Sequence, residues 1–216
     1  MTERSFRGLL WVLAVLGATL DLGSKYAVFA LLYEDGAGHP PAAGVISTRD
    51  RSLIPGAFKL TTQFTGAREE GTGLLADLRT PTGPMLPRVN HGALFGMASE
   101  RGHLANRVFA VVSLLAAAVI IFWSTRPSLT DDLLLCAALG LILGGTVGNL
   151  YDRVVFGGVR DFLEWYYAFS WPVFNIADCC LVVGAFLLLT QALWHRPAPA
   201  PEPQPVTAEE AAPSIS

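Results

Sequence analysis

Apolar residues fall in four long runs, at about residues 8–32, 104–123, 133–150 and 173–194. Each run is close to the roughly 20 predominantly apolar residues that an α-helix needs to cross a bilayer. The pattern therefore predicts an all-α polytopic membrane protein with four transmembrane helices and polar segments between them.

The first run has features of a secretory signal peptide, because Arg4 and Arg7 precede it. The apolar pattern nevertheless resumes after Asp21 and Lys25 with YAVFALLY, and no small-residue cleavage site follows the run. We therefore expect the first run to be an uncleaved span.

Basic residues predict the orientation. An even number of spans places both chain termini on one side of the membrane. Only Arg153 and Arg160 lie in the short third loop opposite, whereas four arginines flank the spans on the side of the termini: Arg4, Arg7, Arg126 and Arg196. Because basic loop residues favour the cytoplasmic side, we expect cytoplasmic termini.

The long loop on the outer side has two parts. Its segment VISTRDRSLIPGAFKLT mixes the β-prone residues Val, Ile, Phe and Thr with a Pro-Gly turn, which predicts a small extramembrane β-structured element. A Gly-, Pro- and charge-rich segment at about residues 66–88 is typical of a surface insertion. Residues 1–196 then form one membrane domain, and the Pro/Ala/Glu-rich tail at 197–216 is predicted to be disordered.

Composition agrees with a membrane protein. Charged residues make up 15% of the chain, against roughly 25% in soluble domains. The net charge of −3 gives no sign of nucleic-acid binding. Cys136, Cys179 and Cys180 lie in apolar runs without CxxC spacing, the four histidines are scattered, and neither HExxH nor GxSxG occurs. We therefore expect no metal and no cofactor.

Asp21 and Lys25 are ionisable residues inside the first span, where hydrocarbon penalises charge. Their i,i+4 spacing places them on one helix face, acid before base. Two interpretations stay open: a self-neutralising pair that orients the first helix, or a direct role in binding.

Asn149, Asp152 and Arg153 end the third span at positions i, i+3 and i+4, so they are predicted to face one way. The simplest interpretation is a helix end at which Arg153 contacts the last carbonyls and Asp152. A polar network that supports a site is the interpretation we favour. Gly144, Gly145 and Gly148 leave room for close helix contact.

Two aspartates flank the short outer loop. Asp161 follows a Gly157-Gly158 turn, and a loop aspartate alone is usually only solvated. The aromatic residues after it suit the headgroup level of a membrane. Asn175 and Asp178 have the spacing of a capping box, so alone they predict only a capped helix start.

In order, the chain reads DLGSK, VNHGALFG, GGTVGNLYDRVVFGGVRDF and FNIAD. In type, order, spacing and span position, these segments resemble the lipoprotein signal peptidases, or signal peptidase II, of bacteria. The resemblance runs from the first span to the fourth. It excludes the tail and the insertion.

The resemblance implies a four-span aspartyl endopeptidase of the bacterial inner membrane that globomycin blocks. Such an enzyme removes signal peptides from prolipoproteins, before a cysteine that carries diacylglycerol. Its catalytic residues match Asp161 and Asp178. Its substrate-binding or supporting positions match Asp21, Lys25, Asn90, Asn149, Asp152, Arg153 and Asn175. Its partners are diacylglyceryl-modified prolipoproteins and membrane lipid, and we expect a monomer with its site near the outer surface.

The chain departs from the family pattern at three places. Arg160 stands where an apolar residue is usual, Leu94 stands in the NxGAA motif, and the first-loop insertion is unusual. Arg160 is therefore expected to alter the charge state of Asp161, and Leu94 or the insertion to alter substrate fit.

Two paired carboxylates hydrolyse a peptide when they share one proton: one accepts a proton from water and the other supports the oxyanion. One alternative is a proton-coupled carrier, which needs carboxylates near mid-membrane. Another is a non-catalytic scaffold, which would tolerate Asp161→Asn.

Overall fold

A computed structural model describes residues 5–34, 45–68, 73–80, 85–92, 99–126 and 130–194. The predicted disordered tail, Leu94 and parts of the predicted insertion lie outside these ranges.

The helices run in the order α1 (Arg7–Glu34), α2 (Leu74–Arg79), α3 (Ser99–Ser124), α4 (Leu133–Val155) and α5 (Ile176–Trp194). Among the described residues, four helices are long and apolar enough to cross a membrane, namely α1, most of α3, α4 and α5. Many of their large apolar side chains are exposed, as for Val112 and Phe186, which suits a lipid-facing surface. The four predicted apolar helices are thus present.

Helix α4 lies at the centre of the bundle and packs against α1, α3 and α5. Its glycines permit close approach: a Cβ atom at Gly140 would lie 2.6 Å from the Leu10 carbonyl oxygen of α1, and one at Gly145 would lie 2.5 Å from the Ala177 carbonyl oxygen of α5. This is the close helix contact that the glycines predict. It brings Asp21 and Lys25, inside α1, next to the end of α4 and the start of α5.

A four-stranded antiparallel sheet adjoins one end of the bundle. It contains β1 (Ile46–Ile54), β2 (Phe58–Arg68), β3 (Met85–Pro87) and β4 (Leu163–Trp165). Strand β2 pairs with β1 on one side and with β3 and β4 on the other. Phe64 and Met85 of the sheet pack with Phe29 and Leu32 of α1. The predicted β-structured element is therefore present, and the all-α label is too narrow.

Two helix boundaries differ from those predicted. Helix α4 continues past residue 150 to Val155, so Asp152 and Arg153 lie on its last turn. Helix α5 begins at Ile176 because Asn175 precedes it as a capping residue.

The segment predicted as a surface insertion contains the end of β2, α2 and β3. It is not wholly superficial, since the side chain of Met85 is 6% exposed.

Candidate active site

The first turn of α5 is a capping box. The Asn175 side-chain oxygen accepts a hydrogen bond from the Asp178 backbone N–H at 3.0 Å, and the Asp178 carboxylate accepts one from the Asn175 backbone N–H at 3.2 Å. The predicted capped start is therefore confirmed. These reciprocal bonds fix the rotamers of both side chains.

Three asparagines bind the two aspartates, and two of them, Asn149 and Asn175, link Asp178 to Asp161. The Asn149 amide donates to Asp178 Oδ1 at 2.9 Å. The Asn175 amide donates to Asp161 Oδ1 at 2.7 Å and to Asn149 Oδ1 at 3.3 Å. The Asn90 amide donates to Asp161 Oδ2 at 3.0 Å. The two aspartates thus belong to one hydrogen-bonded site, and their charges interact.

The loop that carries Asp161 is held on both sides by backbone pairing. Asn90 and Val159 exchange two backbone hydrogen bonds, at 2.7 and 2.9 Å. On the other side, Leu163 and Phe174 exchange two, at 2.9 and 3.0 Å. Asp161 is therefore a fixed, partly buried group, unlike the solvated aspartate that a loop position alone suggests.

The environment of Asp161 changes its acidity. The pKa of Asp161 is raised to about 6, first by burial of the carboxyl group and second by the charge of Asp178. Hydrogen bonds from Asn90 and Asn175 and the charge of Lys25 act in the opposite direction. Burial has the largest effect, so this carboxyl group gains or loses a proton near neutral pH.

A second cluster of charged residues lies beneath the two aspartates, and its members are at most 1% exposed: Asp21, Lys25, Asp152 and Arg160. The Lys25 ammonium is 2.7 Å from Asp21 and 3.4 Å from Asp152, and it donates to Asn149 Oδ1 at 3.1 Å. The other Asp21 oxygen accepts from the Ala177 backbone N–H at 2.9 Å. These contacts are those of a self-neutralising pair, with a direct hydrogen bond to the site added through Asn149.

The two arginines of this region have different partners. Arg160 Nη2 is 2.9 Å from Asp152 Oδ1, so its guanidinium group is bound to Asp152 and not to Asp161. The Arg153 guanidinium group lies 5.1 Å from the centroid of the Phe109 ring of α3. Its charge interacts with those of Asp161 and Asp178.

Sequence reasoning missed several residues that shape this region. His91, which looked isolated in the sequence, contacts the Gly157 carbonyl oxygen at 2.9 Å. Its ring is tilted against that of His103, with the ring centroids 5.5 Å apart. Tyr26 and Phe156 enclose the Arg160 guanidinium group. No local signal marks these pairs, because they form only when separate elements meet. No group of three or more potential metal ligands is close enough to hold an ion within the described ranges.

Comparison with known proteins identifies the family. The profile described as signal peptidase (SPase) II matches residues 84–194. A lipoprotein signal peptidase of Rhodopirellula baltica is 34% identical over an alignment of 201 residues that covers 87% of this chain and 72% of that relative. One from Polynucleobacter necessarius is 45% identical over 112 residues, 49% of this chain and 68% of the relative. A relative from Pseudoalteromonas translucida is matched over only 62% of its length.

The fold has solved counterparts. A structure described as a bacterial membrane enzyme, determined by the in meso method, has a TM-score of 0.60 at 21% identity and covers 91% of this chain and 99% of its own. This likeness concerns the fold alone. The match to the family profile and the long match to the Rhodopirellula relative show that this chain belongs to the signal peptidase II family.

Proposed function

We propose that this chain is a membrane aspartyl endopeptidase that removes signal peptides from diacylglyceryl-modified prolipoproteins and cuts before the lipidated cysteine. The observation that carries the proposal is the pair Asp161 and Asp178, held in one network by the amides of Asn90, Asn149 and Asn175. Membership of the family supports the choice of substrate.

The charges around the pair favour one shared proton. The described residues in and beside the two clusters carry four carboxylates and three basic groups. The carboxylates are those of Asp21, Asp152, Asp161 and Asp178, and the basic groups are those of Lys25, Arg153 and Arg160. One negative charge is in excess, so a single added proton makes the whole group neutral. In a partly buried site a neutral group is favoured over a charged one, and close carboxylates resist double ionisation.

This protonation state suits peptide hydrolysis. The ionised carboxylate takes a proton from water as the water attacks the scissile carbonyl, and the protonated partner donates a hydrogen bond to the developing oxyanion. That proton then passes to the leaving amine. The raised pKa of Asp161 belongs to the coupled pair, so acid and base are not assigned to single residues.

The asparagines have a positioning role in this mechanism. Asn149 and Asn175 each contact an aspartate through the side-chain amide, so both carboxylates are oriented before substrate arrives. Such preorganisation removes part of the reorganisation needed in the transition state.

Position in the bundle supports a lipid-anchored substrate. The site lies where α4 ends and α5 begins, beside the sheet, at the border of the apolar spans. A diacylglyceryl group inserted in the outer leaflet would confine the scissile bond near this depth. We place the enzyme in the bacterial inner membrane as a monomer, with cytoplasmic termini and the site near the outer surface.

The test compares wild type, Asp161→Asn and Asp178→Asn in membranes supplied with a diacylglyceryl-modified prolipoprotein. Each substitution removes a proton-transfer group while keeping the shape of the side chain. The rate of cleavage is therefore expected to fall by about 10²–10⁴-fold. Asp50→Asn is the matched control, because Asp50 lies on the sheet in an ion pair with Lys59; its rate should stay within about two-fold of wild type.

Near-wild-type cleavage by either site variant would disprove the two-aspartate mechanism. Equal cleavage of an unlipidated precursor would instead overturn the assigned substrate and leave the mechanism standing. Loss of activity with a chelator would point to metal-dependent hydrolysis.

A further inference from the structure

Arg160 directly precedes Asp161 and is 1% exposed, which makes it the largest fully buried side chain of the described chain. Burying a guanidinium group is unfavourable unless its charge and its N–H groups are matched. The contacts of Arg160 show how this is achieved and what it does for Asp161.

Asp152 on the last turn of α4 binds Arg160 in two ways. Its carboxylate accepts the Arg160 backbone N–H at 2.8 Å. It also accepts the guanidinium Nη2 at 2.9 Å and Nε at 3.2 Å. A two-pronged arginine–carboxylate contact fixes direction as well as distance. Main chain and side chain of residue 160 are thus both tied to one rigid helix, immediately before Asp161.

Two aromatic rings complete the enclosure. The guanidinium carbon lies 3.9 Å from the centroid of the Phe156 ring and 4.2 Å from that of Tyr26. The Tyr26 hydroxyl donates to the Leu78 carbonyl oxygen of α2 at 2.9 Å, and Arg79 donates to the Val155 carbonyl oxygen at 2.6 Å. Helix α2 is therefore attached beside Arg160 by bonds to α1 and to the end of α4.

Arg160 also determines the charge beneath the aspartate pair. Asp21, Lys25, Asp152 and Arg160 form a buried group with two positive and two negative charges. Without Arg160 this group would carry one uncompensated negative charge next to the site. The other groups that face Asp161 come from four places: Lys25 of α1, Arg153 of α4, Asp178 and Asn175 at the start of α5, and Asn90 after β3.

We propose that Arg160 is a positioning residue for the peptidase reaction. Its paired contact with Asp152 fixes the backbone next to Asp161, and its charge keeps the buried group of Asp21, Lys25, Asp152 and Arg160 neutral. This inference rests on the proposed function. It adds a role for a position that the family resemblance marks only as a departure.

The test measures kcat, KM and the pH dependence of cleavage for Arg160→Leu. We expect kcat to fall about 10-fold or more with KM within about two-fold, because ground-state binding of the substrate does not involve Arg160. We also expect the acidic limb of the pH profile to move to higher pH by about 0.5–1 pH unit. Loss of the Arg160 charge leaves one uncompensated negative charge in the buried group, and such a charge raises the pKa of nearby carboxyls. Arg126→Leu is the matched control; Arg126 lies against the Phe122 ring at the opposite end of the bundle.

A double variant separates charge from positioning and avoids an unpaired buried carboxylate. Asp152→Asn/Arg160→Leu removes one charge of each sign. It is expected to fold and to keep the acidic limb of wild type, while its kcat stays several-fold lower.

Two results would overturn the inference: wild-type kcat in Arg160→Leu, or a loss of folded protein with no change in the kcat or pH profile of the remaining enzyme. Wild type and Asp161→Asn are measured in parallel. Failure of wild type to cleave the lipidated precursor refutes the proposed function, whereas cleavage by wild type and Arg160→Leu at one rate refutes only the role of Arg160.

Discussion

At the scale of single residues, the same burial that would make Asp161 reactive also makes it a source of instability. Its pKa in the folded protein is about 6, above its ordinary value of 3.8. A carboxyl group with a raised pKa binds its proton more tightly in the folded state. Its ionised form therefore destabilises the fold above pH 6, and this destabilisation disappears as the pH falls toward 4.

Asp161→Asn is accordingly expected to be more stable than wild type at pH 8. Removal of the buried charge stabilises the fold, but a lost hydrogen bond partly offsets this gain. Asn90 and Asn175 each donate to one carboxylate oxygen of Asp161, whereas the amide of the variant offers only one oxygen as an acceptor. The net gain should be about 1–2 kcal/mol, and it should vanish near pH 4.5. Thermal unfolding of the purified protein in detergent at the two pH values measures it.

Asp50→Asn gives the opposite sign and serves as the control. Partial burial alone would raise the pKa of Asp50, but the hydrogen bonds from Lys59 and Thr61 and the charge of Lys59 together outweigh it and lower that pKa. A lowered pKa stabilises the fold above the ordinary pKa and loses that effect at acid pH. Asp50→Asn should therefore be slightly less stable than wild type at pH 8. A loss of stability for Asp161→Asn at pH 8 equal to that of Asp50→Asn would contradict the buried, raised-pKa environment of Asp161.

At the scale of elements, the start of α5 combines two tasks in one turn. The Asn175 side-chain oxygen caps the helix, and its amide nitrogen donates to Asp161. The first task requires only an acceptor, whereas the second requires a donor. Different substitutions at this position therefore separate stability from activity.

Asn175→Asp keeps the capping acceptor and removes the donor, so we expect cleavage to fall at least 10-fold. Asn175→Ala removes both and should also lower the free energy of unfolding by about 1 kcal/mol. The matched control is Asp132→Ala, because Asp132 caps α4 through a hydrogen bond from the Leu135 N–H at 2.9 Å. This control should lose similar stability and keep its kcat. If Asn175→Asp cleaves as fast as wild type, the amide bridge has no part in the reaction.

Elements also show what the sequence could predict. The apolar runs predicted the four long helices, and the Asn175–Asp178 spacing predicted the capping box, because both depend on neighbours along the chain. Arg160 could not be placed in this way. Its partners, Tyr26 and Asp152, come from α1 and α4, so only the packed bundle shows that its guanidinium group binds Asp152.

At the scale of the whole molecule, the two ends of the bundle differ in chemistry. The Phe6 N–H donates to the Thr130 carbonyl oxygen at 2.6 Å, and Arg7 contacts the Thr125 carbonyl oxygen at 3.3 Å. The start of α1 therefore lies beside the connection between α3 and α4. The sheet and the aspartate pair lie at the opposite end, where Asn90 and Val159 pair. The orientation of the bundle in the membrane therefore determines on which side the aspartate pair lies.

The basic residues at the end that holds Arg7 and Arg126 predict that this end is cytoplasmic. Single cysteines test it. Leu53 at the tip of the β1–β2 hairpin is 51% exposed, so Leu53→Cys should react with a membrane-impermeant thiol reagent in intact spheroplasts. Thr125→Cys, at the opposite end, should react only after the membrane is opened. The unmodified chain is the background control, since its cysteines lie within α4 and α5. Labelling of Thr125→Cys in intact cells, with Leu53→Cys protected, would reverse the orientation and place the aspartate pair on the side where exported, lipidated precursors are absent.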